Sequence, residues 1–212
     1  MKGYIFDLDG TLFDSLDVWE QIDREFLEKR NIPVPSDYID AVSSMTFAES
    51  AEYTIKRFGL SDSPQSLMQE WNDMAVHAYQ HTVQLKAYVQ EYLNILRNRG
   101  AKLAVATCLF PALYQALLRK HGIYDLFHVI CDSEEAGCGK SQPDMFLLAA
   151  KKLNLPPDNC IVFEDILSAV QSAKKAGMTV YGVYDKTSEN EWEEIKKIAD
   201  GIIYDFREAP LP

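Results

Sequence analysis

Phe6-Asp7-Leu8-Asp9-Gly10-Thr11-Leu12-Phe13-Asp14 sets two carboxylates one residue apart at the end of an apolar run. Upstream and within it, Tyr4, Ile5, Phe6 and Leu8 predict a short buried strand, and Gly10 supplies the turn that ends it. Alternation along that strand would carry Asp7 and Asp9 to the same side, where two like charges are costly unless a proton or a cation relieves them. Mg²⁺ is the usual hard, oxygen-seeking partner for such a pair. The chemistry the spacing permits is covalent: one carboxylate attacks a phosphorus atom, while its neighbour hands a proton to the leaving oxygen and then takes one from water.

Beyond Asp14 the period changes. Trp19, Ile22, Phe26 and Leu27 recur at helical spacing, with a helix ending near Asn31-Ile32-Pro33. Thr46-Phe47-Ala48-Glu49 matches a capping box ahead of Tyr53, Ile55 and Phe58, and Ser63-Pro64 opens a helix carrying Leu67, Trp71, Met74 and Tyr79. Residues 15–85 therefore read as an all-helical insertion. The chain then alternates: helices over 89–99, 111–121, 144–153, 168–176 and 188–198, and strands over 102–108, 128–132, 160–164, 179–184 and 201–204. Such alternation implies a parallel sheet covered on both faces. The predicted architecture is an α/β, Rossmann-like core formed by residues 1–14 and 86–212, with the helical unit inserted after the first strand.

A chain of 212 residues, 47% hydrophobic, can bury a full core. Its 21 Lys and Arg against 32 Asp and Glu give a formal net charge of −11, which repels nucleic acid and anionic membrane surfaces. No apolar run reaches the length of a membrane span. Cys108, Cys131, Cys138 and Cys160 show no Cys-x-x-Cys spacing and read as buried free thiols of a reducing compartment, so the cytoplasm is the expected location. The expected partner is a small-molecule phosphate ester, met by a monomer, with a dimer left open.

In an open parallel sheet the site lies beyond the carboxyl ends of the strands. Asp7 and Asp9 follow the first strand, Thr107 ends the second, Lys140 follows the third through the loop Glu134–Gly139, and Glu164 and Asp165 end the fourth. A hydroxyl, a lysine and four carboxylates are what a phosphoaspartate mechanism needs. Thr107 can bind a phosphate oxygen, Lys140 can neutralise the pile-up of negative charge, and Glu164 or Asp165 can hold Mg²⁺ against Asp7.

Asp7-x-Asp9-Gly-Thr-Leu, the strand-end Thr107, Gly-Lys140-Ser-Gln-Pro-Asp, and Phe-Glu164-Asp165 with Ala176-Gly177-Met178 resemble the four motifs of the haloacid dehalogenase superfamily of phosphohydrolases. The helical insertion is similar to the cap of its phosphoglycolate phosphatase and β-phosphoglucomutase branch. The resemblance implies that Asp7 is the nucleophile and a metal ligand, and that Asp9 is the acid/base, offering its backbone carbonyl to Mg²⁺. It further implies that Thr107 and Lys140 bind phosphate and that Glu164 and Asp165 form the acidic metal-binding pair. Asp9 disfavours a true dehalogenase or a transport ATPase. Four departures from the common pattern stand out: Cys108 after Thr107, Ser141 after Lys140, Ile166 after the acidic pair, and Lys86-Ala87 where Pro-Gly begins the return to the core.

By position, the cap segment that helps choose substrate is Asp40 to Phe47, which contains no Lys or Arg. A mutase must hold the far phosphate of a bisphosphate, normally with a cation in the cap. The reading is therefore a phosphatase acting on a small organic phosphate, with Ser43, Ser44, Thr46 and Cys108 as candidate substrate contacts and Lys56, Arg57 and Lys86 as the remaining sources of positive charge. A β-phosphoglucomutase-like phosphomutase and a non-catalytic phosphate-binding regulator are the alternatives. His77 and His81, four apart, read as solvated or packed histidines, and Trp19, Trp71, Phe47 and Tyr53 as cap core.

Overall fold

The computed structural model describes all residues except Leu16, Ser44 and Thr46 and the side chains of Asp40 and Ser43. Its contacts divide the chain into two units, residues 16–82 and residues 1–15 with 83–212. In the first unit, α1 (Asp17–Lys29) buries Val18, Ile22, Phe26 and Leu27 along one stripe. It is followed by α2 (Tyr38–Ser43), α3 (Phe47–Phe58) and α4 (Pro64–His81). Ser63 starts α4 by accepting the Ser66 amide at 3.1 Å, with Pro64 in the first turn where its missing N–H is no loss. Phe26, Trp71, Phe47 and Trp19 form a chain of ring contacts at 5.5–5.8 Å, but of the residues expected in the cap core Trp71 is buried, Trp19 half-buried and Phe47 exposed. His77 and His81 are both exposed.

α3 turns Ser50, Ala51 and Thr54 inward, whereas Tyr53, expected in the cap core, is only half-buried, as are Ile55 and Phe58. The reason is local hydrogen bonding. The Thr54 hydroxyl donates to the Ser50 carbonyl at 2.7 Å and lies 2.7 Å from the Tyr38 hydroxyl, so a polar side chain is satisfied inside the helical unit. The capping box assigned to Thr46 lies outside the described residues.

In the second unit, β1 (Gly3–Phe6) is the centre of a six-stranded sheet. β2 (Phe13–Asp14) and β3 (Gln84–Leu85) pair separately as a short antiparallel ribbon. After α5 (Val89–Asn98), β4 (Lys102–Thr107), α6 (Pro111–Lys120) and β5 (Val129–Asp132) come α7 (Ser133–Ala136) and α8 (Asp144–Leu153). β6 (Cys160–Glu164), α9 (Leu167–Lys175), β7 (Thr179–Val183), α10 (Trp192–Ile198) and β8 (Gly201–Ile203) complete it. The main sheet is parallel throughout, in the order β5-β4-β1-β6-β7-β8. Period-two alternation sends Ile5, Ala104, Val162 and Val180 to one face, against Phe146, Val170 and Trp192 of α8, α9 and α10. Phe6 and Phe163 stack at 4.9 Å on the other face, beside Tyr92 of α5.

Four local expectations are corrected. β1 ends at Phe6, not Leu8, because the Leu8 carbonyl accepts the amides of Thr11, Leu12 and Phe13 and the chain curls into a turn. The segment before Lys140 is not all loop: Asp132 accepts the Glu135 amide at 2.9 Å and starts the single-turn α7. The last long helix begins at Trp192, since Asp185 captures the Thr187 amide and winds residues Lys186–Glu191 into a 3-10 turn. All four cysteines are free, but Cys108 is exposed and Cys138 partly so; Cys131 and Cys160 alone are buried.

Candidate active site

Because β1 lies between β4 and β6, the carboxyl ends of three adjacent strands come together where the strand order reverses. Register puts Phe6 level with Val105 and Phe163. Asp7, Thr107 and the Glu164-Asp165 pair thus emerge side by side. The Asp7 amide donates to the Phe163 carbonyl at 3.1 Å, so its backbone stays tied to β6 one residue beyond β1. Asp7 and Asp9 are therefore placed by the turn that follows the strand and not by alternation within it. Gly10, at φ 74°, gives that turn its left-handed corner, and its amide donates to the Phe13 carbonyl at 2.9 Å.

Lys140 reaches this group from the far side. Its ammonium makes a close ion pair with Asp7 Oδ1 and donates to Glu164 Oε2 at 2.9 Å, and all three side chains are buried. Glu164 Oε1 folds back on the amides of Asp165 and Ile166, at 3.2 and 3.3 Å. Asp165 is held by hydroxyls alone: Thr11 donates to Oδ1 at 3.1 Å and Ser188 to Oδ2 at 3.4 Å. Neither Thr11, Ser15 nor Ser188 was singled out from sequence. Thr11 lies inside the aspartate motif and Ser15 directly after it, but Ser188 carries no signal, standing 23 residues from its partner.

The electrostatics follow from three buried carboxylates sharing one ammonium. Burial, then repulsion by Glu164, pushes Asp7 up to about 8 despite Lys140. Burial, Glu164 and Asp7 together raise Asp165 well above the carboxylate range. Burial works against the Lys140 charge, yet Asp7 and Glu164 outweigh it and hold the ammonium above the ordinary lysine value. Asp7, Glu164 and Asp165 each present an oxygen within 4.8 Å of the other two. Hard oxygen donors with uncompensated negative charge fit Mg²⁺, whose charge would offset the repulsion that raises Asp7 and Asp165.

Asp9 sits at the edge of this cluster, half-buried, accepting the Ser15 hydroxyl at 2.5 Å. Thr107 Oγ1 accepts the Leu109 amide at 3.1 Å, which leaves its proton to point elsewhere. The structure thus gathers Asp7, Lys140, Glu164 and Asp165 into one contact group, with Asp9 on the turn after β1 and Thr107 and the exposed Cys108 at the end of β4. The Ser43 side chain, Ser44 and Thr46 lie outside the described residues.

The family model described as haloacid dehalogenase-like hydrolase matches residues 1–177. The chain is 26% identical over 184 residues to the phosphorylated carbohydrates phosphatase of Thermotoga maritima, covering 86% of this chain and 85% of that one. It is 31% identical over 191 residues to the β-phosphoglucomutase of Bacillus subtilis, covering 86% and 83%. A solved structure of a HAD hydrolase from Entamoeba histolytica shares the fold, with a TM-score of 0.83 at 23% identity over 99% of this chain and 96% of that one. With the aspartate turn, the strand-end threonine, the lysine and the acidic pair all inside the matched range, the chain belongs to the haloacid dehalogenase-like hydrolases.

Proposed function

We propose that this enzyme is a Mg²⁺-dependent phosphatase that hydrolyses a small organic phosphate monoester, a sugar phosphate or similar metabolite, through a phosphorylated Asp7. The observation that carries the reading is the Lys140 ammonium set between Asp7 and Glu164 beside a second buried carboxylate. Asp7, freed of its proton, attacks phosphorus with the oxygen that Lys140 does not hold. Asp9 gives a proton to the departing oxygen and then takes one from the water that opens the acyl phosphate. Thr107 donates its free hydroxyl proton to a phosphoryl oxygen, and Lys140 offsets the charge shared by nucleophile and phosphate. Mg²⁺, when bound, supplies Lewis-acid stabilisation of phosphoryl charge. Asp7, the Asp9 carbonyl and Asp165 would hold it. Glu164, whose two oxygens serve Lys140 and two amides, is the better keeper of the lysine.

Hydrolysis is favoured over mutase chemistry by how the cap uses its cations. Arg24, Arg30 and Arg57 are each paired, with Glu20, with Glu70 and Asp62, and with Asp37, and among the described residues only Lys29 and Lys56 are left in the cap without an ion pair. Lys86 and Asp185, both outside the cap, are paired with each other. The cap segment from residue 40 to 47 adds no cation. The names of the relatives, one a carbohydrate phosphate phosphatase and one a mutase, support a sugar-phosphate-sized substrate. A cytoplasmic monomer is part of the same proposal, supported by free cysteines and a charge of −11. No helix among the described residues is long and apolar enough to cross a membrane.

The test is phosphate release from a panel of sugar phosphates, phosphoglycolate, polyol phosphates and nucleotides, with and without Mg²⁺, using Asp7→Asn as the blank. Release from a narrow set, lost in the blank and without metal, is the expected result. No release from any compound, together with isomerisation of a sugar phosphate primed by a bisphosphate, would overturn it in favour of the mutase.

A further inference from the structure

A second charge pair, which the reaction as described does not use, stands behind the acidic cluster. Lys86 Nζ lies 2.7 Å from Asp185 Oδ2 and donates to the Tyr184 carbonyl at 3.0 Å, with only 15% and 9% of the two side chains exposed. Asp185 Oδ1 accepts both the amide and the hydroxyl of Thr187, at 2.9 and 2.7 Å. Burial alone would raise this carboxyl, but Lys86 and Thr187 hold it below the usual value, so it stays charged. The 3-10 turn it starts carries Ser188, which is buried, donates its amide to the Asp185 carbonyl at 3.2 Å, and aims its hydroxyl at Asp165 Oδ2.

A buried ion pair is a poor source of net stability, because desolvation offsets most of its attraction; its best use is to fix one arrangement among several. Here the arrangement fixed is the turn that places a donor on Asp165. Thr11 and Ser188 hold the two oxygens of that carboxylate, one each, so losing either donor frees the group to rotate. The Ser188 contact, at 3.4 Å, is at the long limit for a hydroxyl. Donors of this kind, set behind a carboxylate that holds a metal, fix the direction in which its oxygens point.

We propose that the Lys86–Asp185 pair is a positioning element for Mg²⁺: it anchors the turn bearing Ser188 and so orients the Asp165 carboxylate for the metal. The inference rests on the proposed role of Asp165 as a metal ligand. It gives a purpose to Lys86, whose ammonium the reaction as described does not use.

The experiment is calorimetric titration of Mg²⁺ into the full-length wild type, Ser188→Ala, Lys86→Met and the double variant at pH 8, with thermal melts of each in EDTA. Ser188→Ala should weaken Mg²⁺ binding by about 10-fold while its metal-free melt stays at the wild-type temperature, a split that a purely structural serine would not produce. Lys86→Met should weaken Mg²⁺ binding comparably, and the double variant should bind no worse than the weaker single one, because both act through one contact. If Lys86→Met does not fold, Lys86→Met combined with Asp185→Asn, which leaves no unpaired buried charge, takes its place. Wild-type affinity in either single variant, or multiplied losses in the double, would overturn the inference while leaving the Mg²⁺ site standing. A wild type that binds no Mg²⁺ would overturn both.

Discussion

Replacing the proposed nucleophile, Asp7→Asn, should make the metal-free protein more stable, and increasingly so as the pH rises. The folded protein keeps the Asp7 proton up to about pH 8, whereas the unfolded chain loses it near 3.8. Between those values the folded state therefore binds more protons, and stability falls as pH increases through the window. At ~1.4 kcal/mol per pH unit the full penalty at pH 8 is on the order of 5 kcal/mol. Asparagine mimics the protonated carboxyl but deprives Lys140 of one partner, leaving Glu164. If about half the penalty is relieved, the melting temperature in EDTA should rise by about 5–10 °C at pH 8 and by no more than about 3 °C at pH 5. Differential scanning calorimetry at three pH values checks this. Mg²⁺ should reverse the order, raising the wild-type melt most at pH 8, where the carboxylates give up their protons most readily. A variant that melts below wild type at pH 8 in EDTA, or a difference that is flat from pH 5 to 8, would refute the charge accounting.

Asp9→Asn should lower kcat by about 10²-fold or more while Mg²⁺ affinity by calorimetry stays within about twofold, since only its carbonyl would face the metal. Lys140→Met strands three buried carboxylates without a counter-charge and should lower stability in EDTA by about 3 kcal/mol at pH 8, read from urea midpoints, with loss of turnover. Glu164→Gln should reduce kcat more than Mg²⁺ affinity and Asp165→Asn the reverse, because the first carboxylate serves Lys140 and the second is held only by hydroxyls; equal effects on both quantities would count against that division of labour. Gly182→Ala would place a methyl 2.5 Å from the Ile195 side chain of α10, costing about 1–3 kcal/mol in chemical denaturation.

What was legible in the sequence, and what was not, follows from distance along the chain. Asp7, Asp9 and Thr11 are neighbours, so one short motif carries their chemistry. Lys140 and Glu164 are legible only through an added rule, that parallel strands deliver their carboxyl ends to one edge; the ion pairs joining Lys140 to Asp7 across 133 residues and to Glu164 across 24 are the product of that convergence. Alternation failed at Leu8, because three amides compete for one carbonyl and end the strand early. On α3, Tyr53, expected in the cap core, is half-buried, while a threonine satisfied by a backbone carbonyl is fully enclosed. β2 and β3, at two residues each, are too short to show any period. Ser188 could not be found at all, since its role depends on a turn wound by Asp185 and anchored by Lys86, three residues whose meaning exists only after folding.

The same charge count that raises Asp7 also bears on why an acidic protein can take an anionic ester. Three carboxylates and one ammonium leave the buried cluster at a formal −2 when all are ionised, in a chain already at −11. A phosphate dianion would be repelled from it, and the raised values of Asp7 and Asp165 express the same imbalance, relieved by protons. In the proposed reaction a divalent cation held by Asp7 and Asp165 would offset that charge and favour the ionised nucleophile, so metal binding and the arming of Asp7 would be coupled. In the proposed reaction, phosphorylation of Asp7 would remove its carboxylate charge and with it the attraction for Lys140. Glu164 Oε2, which accepts from Nζ at 2.9 Å, would still hold the lysine. The ammonium would thereby stay beside the transferred group through both halves of that reaction.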